Sequence, residues 1–249
     1  MSSAARKERE FHQREQAIIQ AARDLLLAEG YLGLTMDRVA ELVEYSKPTV
    51  YAHFASKEDL ILGVCNDGLA QRAELFLRAV GFLGRSRETF CAVGVADEVF
   101  VHAFPEHAAM EQLLKSRSLW ERAGERQHAR HDALDRTMMG TMHSLIGRAL
   151  AEGDLQTADS SMLLELGLGM KALALGTHLI SALHLPSPDA RVALYRGLRR
   201  NEHRLLDGWG WRPLTNDWDW APVYDRIYRE VFPSEVKSLP DGLRNCIPQ

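Results

Sequence analysis

At 249 residues with 46% apolar side chains, the chain can bury a substantial core in one or two domains. Its net charge of −4 excludes a protein drawn to nucleic acid by a global basic field, so any DNA affinity must come from where the cations sit. Cys65, Cys91 and Cys246 lie far apart without metal or redox spacing, and read as free thiols of a reducing cytosol.

In chain order, residues 1–13 are charged and weakly patterned, and are expected to form a flexible arm. The opening MSSAARKERE lacks the apolar run of a signal peptide. Ile18, Ala21, Ala22, Leu25 and Leu26 make a helical stripe that Gly30 should stop. Three helix starts then follow in quick succession. Thr35 is a candidate N-cap, with Leu34 and Val39 spaced as a hydrophobic staple. Ser46 is the second, with Tyr45 before it, Val50 after it, and Pro48 in the first turn, where a missing N–H is tolerated. Ser56 is the third, followed by Glu58 and Asp59 at the positive end of the helix dipole. Such spacing predicts short helices at about 36–43 and 47–53, a helix-turn-helix, and a longer one opening at Lys57.

On the second short helix, Val50 and Phe54 should face the core. Pro48, Thr49 and Ala52 face outward between Tyr51 and His53. That outward face is small and uncharged, with donors at its edges, as close approach to a DNA groove requires. Lys57 is a cation at a helix start, against the dipole, and is expected to answer an external phosphate.

The run TMDRVAELVEYSKPTVYAHFASKEDL closely resembles the DNA-binding domain of the TetR/AcrR family of bacterial transcriptional regulators, over roughly residues 14–62. The resemblance implies that Lys47 and Thr49 read the groove and that Thr35, Tyr51, His53 and Lys57 contact phosphates. Ser46, Pro48 and Ala52 complete the expected DNA-binding surface. Glu44 and Tyr45 depart from the family, which usually has Gly and Val there, so the turn between the two helices is expected to be reshaped.

Beyond Lys57 the pattern predicts a helix to about Ala79, then helices at about 87–103, 107–117, 120–151, 159–184, 188–206 and 221–232. Breaks fall at Gly81, Gly84, Pro105, Gly153-Asp154 and Pro186, and Ser187-Pro188 opens the penultimate helix. No alternating strand pattern or fixed repeat interrupts this. The 159–184 segment runs from Met162 through Leu183 with almost no polar face, so it is either a membrane span or a helix buried all round. Glu165, Lys171 and His178 interrupt it, and the dimer interface implied by the family resemblance, built from 159–184 and 188–206, is the preferred reading. Trp209, Trp211, Trp218 and Trp220 crowd one short stretch, expected to pack as a lid on the helices or to wall a ligand site. Residues 233–249 read as a loose tail.

The expected architecture is all-α. It has a 1–13 arm, a three-helix helix-turn-helix domain over 14–60, a larger helical effector-binding and dimerisation domain over 61–232, and the tail. The expected function is a cytoplasmic, homodimeric, sequence-specific transcriptional regulator, not an enzyme. It would be a repressor released from a pseudo-palindromic operator by a small, mostly hydrophobic effector. His102, Trp120, His178, Trp209 and Trp211 are the candidate effector-pocket residues. No cofactor and no metal are expected. One alternative is an effector-independent DNA binder or activator. Another is a helical metalloenzyme, because His128, His131, Asp132 and Asp135 share a helix face that Glu98 and His102 could complete. Interleaved Arg126, Arg130 and Arg136 favour an ordinary solvated face instead.

Overall fold

A computed structural model of the chain describes residues 3–156, 160–183 and 185–244. Its helices begin where local chemistry provides a cap. Helix α1 (Ser3–Gly33) is broken near its end by Gly30 at φ 69° and ψ −169°, the stop expected there. Helix α2 (Met36–Leu42) starts at Thr35, whose hydroxyl accepts from the Arg38 N–H. Helix α3 (Lys47–His53) starts at Ser46, which accepts from the Thr49 N–H. Helix α4 (Lys57–Val80) follows Ser56, whose Oγ accepts from the Asp59 N–H. Each such cap contributes about 1 kcal/mol. All three predicted N-caps are therefore present.

Helix α5 (Ser86–Ala103) is followed by α6 (Pro105–Met110), a 3-10 turn (Glu111–Lys115), α7 (Arg117–Arg122) and α8 (Glu125–Ala151). Here two expectations are corrected. The single helix expected over 107–117 is divided, and the one over 120–151 is interrupted at Ala123 and Gly124. A tertiary bond explains the second break: the Gly124 N–H leaves the helical ladder and donates to Asp59 Oδ1 at 2.9 Å. Helices α9 (Ser160–Ser181), α10 (Pro188–Gly208), α11 (Trp220–Glu230) and the short α12 (Asp241–Arg244) complete the order, with 3-10 turns at Thr215–Asp217 and Glu235–Ser238. Ser187 caps α10 by accepting from the Ala190 N–H, with Pro188 in its first turn.

The chain divides into two units. The first is Met1–Gln71 with Glu106–Asp135, and the second is Arg72–Pro105 with Arg136–Gln249. The division expected at 60/61 misses that the first unit is discontinuous in sequence. In it, Ile18, Ala22 and Leu26 of α1, Val39 of α2, Val50 and Phe54 around α3, and Leu60 and Val64 of α4 form one core. Tyr45 fills its slot in the turn by packing against this core. The expected loose arm is also corrected, because residues 3–13 continue α1 and Phe11 stacks on His53 with ring centroids 4.0 Å apart.

The second unit is held by two buried arginines. Arg87 donates to Asp207 Oδ1 and to the Trp211 and Pro213 carbonyls at 2.7, 2.6 and 2.8 Å, pinning the Trp-rich stretch. Arg199 pairs with Glu98 and donates to Tyr228 Oη. Trp211 and Trp220 are fully buried, Trp209 is half-buried and Trp218 exposed, so the stretch packs chiefly as core. The tail expected from 233 is corrected through residue 244: Leu239 and Leu243 are buried, and Arg78 pairs with Glu235. Residues 1–2 and 245–249, with Cys246, lie outside the described residues. Cys65 and Cys91 are buried free thiols, both pushed up to about 12 by burial.

Helix α9 departs from the expectation of burial on every side. Leu166 and Met170 are buried, and Leu205 of α10 comes up against Gly169. Leu164, Leu168, Leu175 and Ile180 are exposed, as is Leu183 just beyond its end. Leu163–Ser181 is long and apolar enough to cross a membrane by length and composition. The side chain of Met162 is outside the described ones.

Candidate nucleic-acid interface

The turn between α2 and α3 is closed by two bonds, Glu44 N–H to the Glu41 carbonyl and Tyr45 N–H to the Ala40 carbonyl, at 3.2 and 3.1 Å. That pairing is a Schellman motif, and it sets residue 44 in the left-handed region at φ 55°. Glycine occupies the same place in the motifs ending α8 and α10, Gly153 at φ 74° and Gly210 at φ 67°. The turn therefore keeps the geometry of a glycine turn in spite of Glu44. The predicted reshaping does not occur.

Val50 and Phe54 anchor α3 from inside, each fully buried. Lys47, Pro48 and Ala52 are exposed, Tyr51 is 48% exposed, and Thr49 is half-buried with its hydroxyl 2.8 Å from Ser46 Oγ. Thr35 is exposed at the start of α2. Pro48, Thr49, Tyr51 and Ala52 keep the placement read from the helical period.

Two of the expected contacts turn inward. His53 is buried beneath Phe11, its Nδ1 3.8 Å from Glu15 Oε2. Burial, ahead of the opposing pull of Glu15, lowers its pKa below the ordinary value. A phosphate contact through the His53 ring is thus corrected to a packing role: the period placed it at an edge, but the unforeseen extension of α1 covers that edge. Lys57 donates its ammonium to the Tyr31 carbonyl and lies 3.8 Å from the centre of the Tyr31 ring. Its anomalous position at a helix start is answered inside the protein, and burial lowers its pKa. A phosphate would have to compete with Tyr31.

The remaining cations around α3 are held by carboxylates. Lys47 Nζ meets Asp37 at 2.7 Å, a bond that raises the lysine pKa, and Arg38 makes a two-bond fork to Glu29 at 2.5 Å. Both pairs are exposed, where such a bridge contributes little and exchanges readily for a phosphate or a base edge.

Residues 18–64 match the sequence profile of the bacterial regulatory proteins of the tetR family. Over these residues the chain is similar to the TetR family. It is 35% identical over 66 residues to the HTH-type transcriptional repressor AcnR of Corynebacterium diphtheriae, covering 26% of this chain and 35% of that protein. It is 38% identical over 56 residues to the HTH-type transcriptional regulator TcmR of Streptomyces glaucescens, covering 22% of this chain and 25% of that protein. The match thus spans about a third and a quarter of these curated relatives. Solved structures extend the likeness of fold to the rest of the chain. A TetR/AcrR regulator from Thermobifida fusca superposes with a TM-score of 0.57 at 20% identity, over 79% of this chain and 98% of that one. A tetR-family regulator from Streptomyces coelicolor does so at 0.54 and 16%, over 92% and 91%.

The residues expected to wall an effector pocket do not assemble. Trp120 belongs to the first unit, packed against its core and near the rings of His128 and His131. Trp211 is wholly buried, its indole N–H donating to Ser86 Oγ at 3.0 Å, and Trp209 caps the end of α10. His102 and His178 do come together in the second unit, both against the Tyr195 ring. His178 also bonds Asp97 at 2.5 Å, and burial first, then Arg191, lowers His102 to about 4. Two clefts open on the second unit. One of about 390 Å³ is lined by Val80, Gly140, Thr141, Ser144, Leu145 and Arg148; the other, about 320 Å³, lies around Trp218 and Arg226. None of the five expected wall residues lines either. On the histidine face of α8, His131 is committed elsewhere, its Nδ1 2.9 Å from Asn66 Oδ1. No metal-ligand group of three converges among the described residues. Sequence reading missed Phe11, Glu15 and Arg126, whose partners are remote along the chain and leave no local pattern.

Proposed function

We propose that the chain is a sequence-specific DNA-binding transcriptional regulator of the cytoplasm, acting as a homodimer and repressing until a small molecule displaces it. The observation that carries the reading is the outward face of α3. Lys47, Pro48, Thr49, Tyr51 and Ala52 are presented on a short helix whose opposite side is locked in the core by Val50 and Phe54. A rigid helix with a small, donor-edged face suits the major groove. Two copies bring two such helices to successive grooves when they stand one DNA turn apart, about 34–36 Å. The exposed leucines of α9 supply the surface for that pairing. AcnR, a repressor by name, supports repression as the direction of control.

Release by a small, mostly hydrophobic effector rests on the size of the second unit, which exceeds what dimerisation needs. The second reading, an effector-independent regulator, is favoured by the two clefts, which are open to solvent. The deciding experiment selects duplexes from a random pool on the purified chain and measures affinity for the winner at two salt concentrations. Ligands found by thermal-shift screening are then titrated with and without operator. Under effector control, operator weakens ligand binding by the factor by which ligand weakens operator binding. Equal ligand affinity in both states removes effector control, and no selected sequence removes the DNA reading.

A further inference from the structure

Helix α8 begins in the first unit, where its opening residues are bonded to α1, α3 and α4. Arg126 Nη1 donates to Glu15 Oε2 of α1 at 2.7 Å, and its Nη2 donates to the carbonyl of His53, the last residue of α3. The guanidinium lies 5.6 Å from the centre of the Phe54 ring. A final helix carbonyl has no intrahelical partner and sits at the negative end of the dipole, so a guanidinium there answers both the bond and the charge. Glu15 is only 7% exposed and depends on Arg126 and on Arg130, 3.5 Å from its other oxygen, for its countercharge. Beside it, Asn66 of α4 donates to the Gln127 carbonyl at 2.9 Å. The same helix continues from these bonds through Arg136 to Ala151, residues of the second unit.

We propose that Arg126 is a positioning residue for DNA reading. It fixes the last turn of the recognition helix from α8, so that operator binding is relayed along α8. This rests on the DNA-binding function proposed above. Arg126 reaches DNA through α3, by setting the angle at which Lys47 and Tyr51 are presented.

The test uses the full chain, an operator selected from random duplexes and a scrambled duplex. Wild type is compared with Arg126→Ala, Arg126→Lys and Arg136→Ala, the last being an exposed arginine further along α8. Three quantities are read: the operator-to-scrambled affinity ratio, the thermal midpoint, and amide exchange over 136–151 on adding operator. In wild type, operator changes exchange over 136–151. Arg126→Ala lowers the ratio about tenfold, the scale of a lost charged hydrogen bond, while scrambled binding stays. At saturating operator the exchange change over 136–151 is reduced. Arg126→Lys restores part of the ratio, and Arg136→Ala behaves as wild type. A ratio within about twofold of wild type, or an exchange change of wild-type size, overturns the proposal. Equal loss on both duplexes with a lowered midpoint also overturns it, since that is a merely structural role. Failure of the wild type to select or bind DNA instead removes the parent function, and this is seen before any variant is made.

Discussion

Glu44 is the one non-glycine residue at positive φ among the described residues, and its carboxylate is not needed to close the turn, which two backbone bonds already close. Left-handed backbone costs a side-chain-bearing residue about 1 kcal/mol, partly offset by the extra freedom glycine has when unfolded. Glu44→Gly is therefore expected to raise stability by several tenths to about 1 kcal/mol. The urea midpoint should increase with unchanged slope, and a lower midpoint would sink the argument. His203 makes a second residue-scale prediction. Arg87 Nη2 donates to its Nδ1 at 3.3 Å, so that nitrogen accepts and the buried ring is neutral. Burial first, then Arg87, holds it down to about 3, against an unfolded value of about 6.5. Between those values the unfolded chain takes up a proton that the folded one refuses. The contribution is present above pH ~6.5 and is lost as pH falls toward the folded value. His203→Asn, which also loses the 3.0 Å contact with Tyr224, starts less stable but should show a shallower fall in thermal midpoint from pH ~6.5 to ~4. Parallel curves for the two proteins would refute it.

Helix α3 is short, and its character comes from what surrounds it. Ser46 caps its start, Arg126 holds its end, and Val50 and Phe54 fill the core beneath it. Its outward residues carry no packing duty, so their replacement should leave the fold intact and alter only binding. Lys47→Ala should relax discrimination at one base position by about 1–3 kcal/mol. Tyr51→Phe should weaken all sequences alike. Both follow from titrations on the selected operator and its single-base variants. Unchanged affinity in both variants would end the assignment of α3 as the recognition helix. Lys57→Ala, with its ammonium engaged by Tyr31, is expected to lower the thermal midpoint more than the salt dependence of binding.

At the scale of the whole molecule, α4 and α8 are the long helices whose residues belong to both units, and α9 carries the exposed leucines. Leu164 and Leu168 are 59% and 57% exposed, one helical turn apart, and Leu175 lies on the same side. Covering such a face by a second copy removes apolar surface from water at about 25 cal/mol per Å². Leu168→Glu with Leu175→Glu is expected to shift the protein to monomer in sedimentation. Operator affinity should collapse toward that of a single half-site while helical content is retained. A double variant that stays dimeric would show that α9 is not the pairing surface.

The sequence by itself determined the helix starts, the helix-turn-helix and its outward face. Caps, staples and apolar periods are local rules, satisfied within three or four residues, and Thr35, Ser46, Ser56 and Ser187 obey them in the structure. Only the tertiary structure decided the rest. Residues 3–13 are helical, with Phe11 stacked on the buried His53, and Gly124 breaks a long helix because Asp59 takes its N–H. Arg126 bonds the His53 carbonyl at the end of the recognition helix, 73 positions away, and Arg87 gathers the Trp-rich stretch 124 positions on. No period or cap encodes such pairings. They depend on which buried charge must find a partner once the helices have packed, and that is settled in three dimensions.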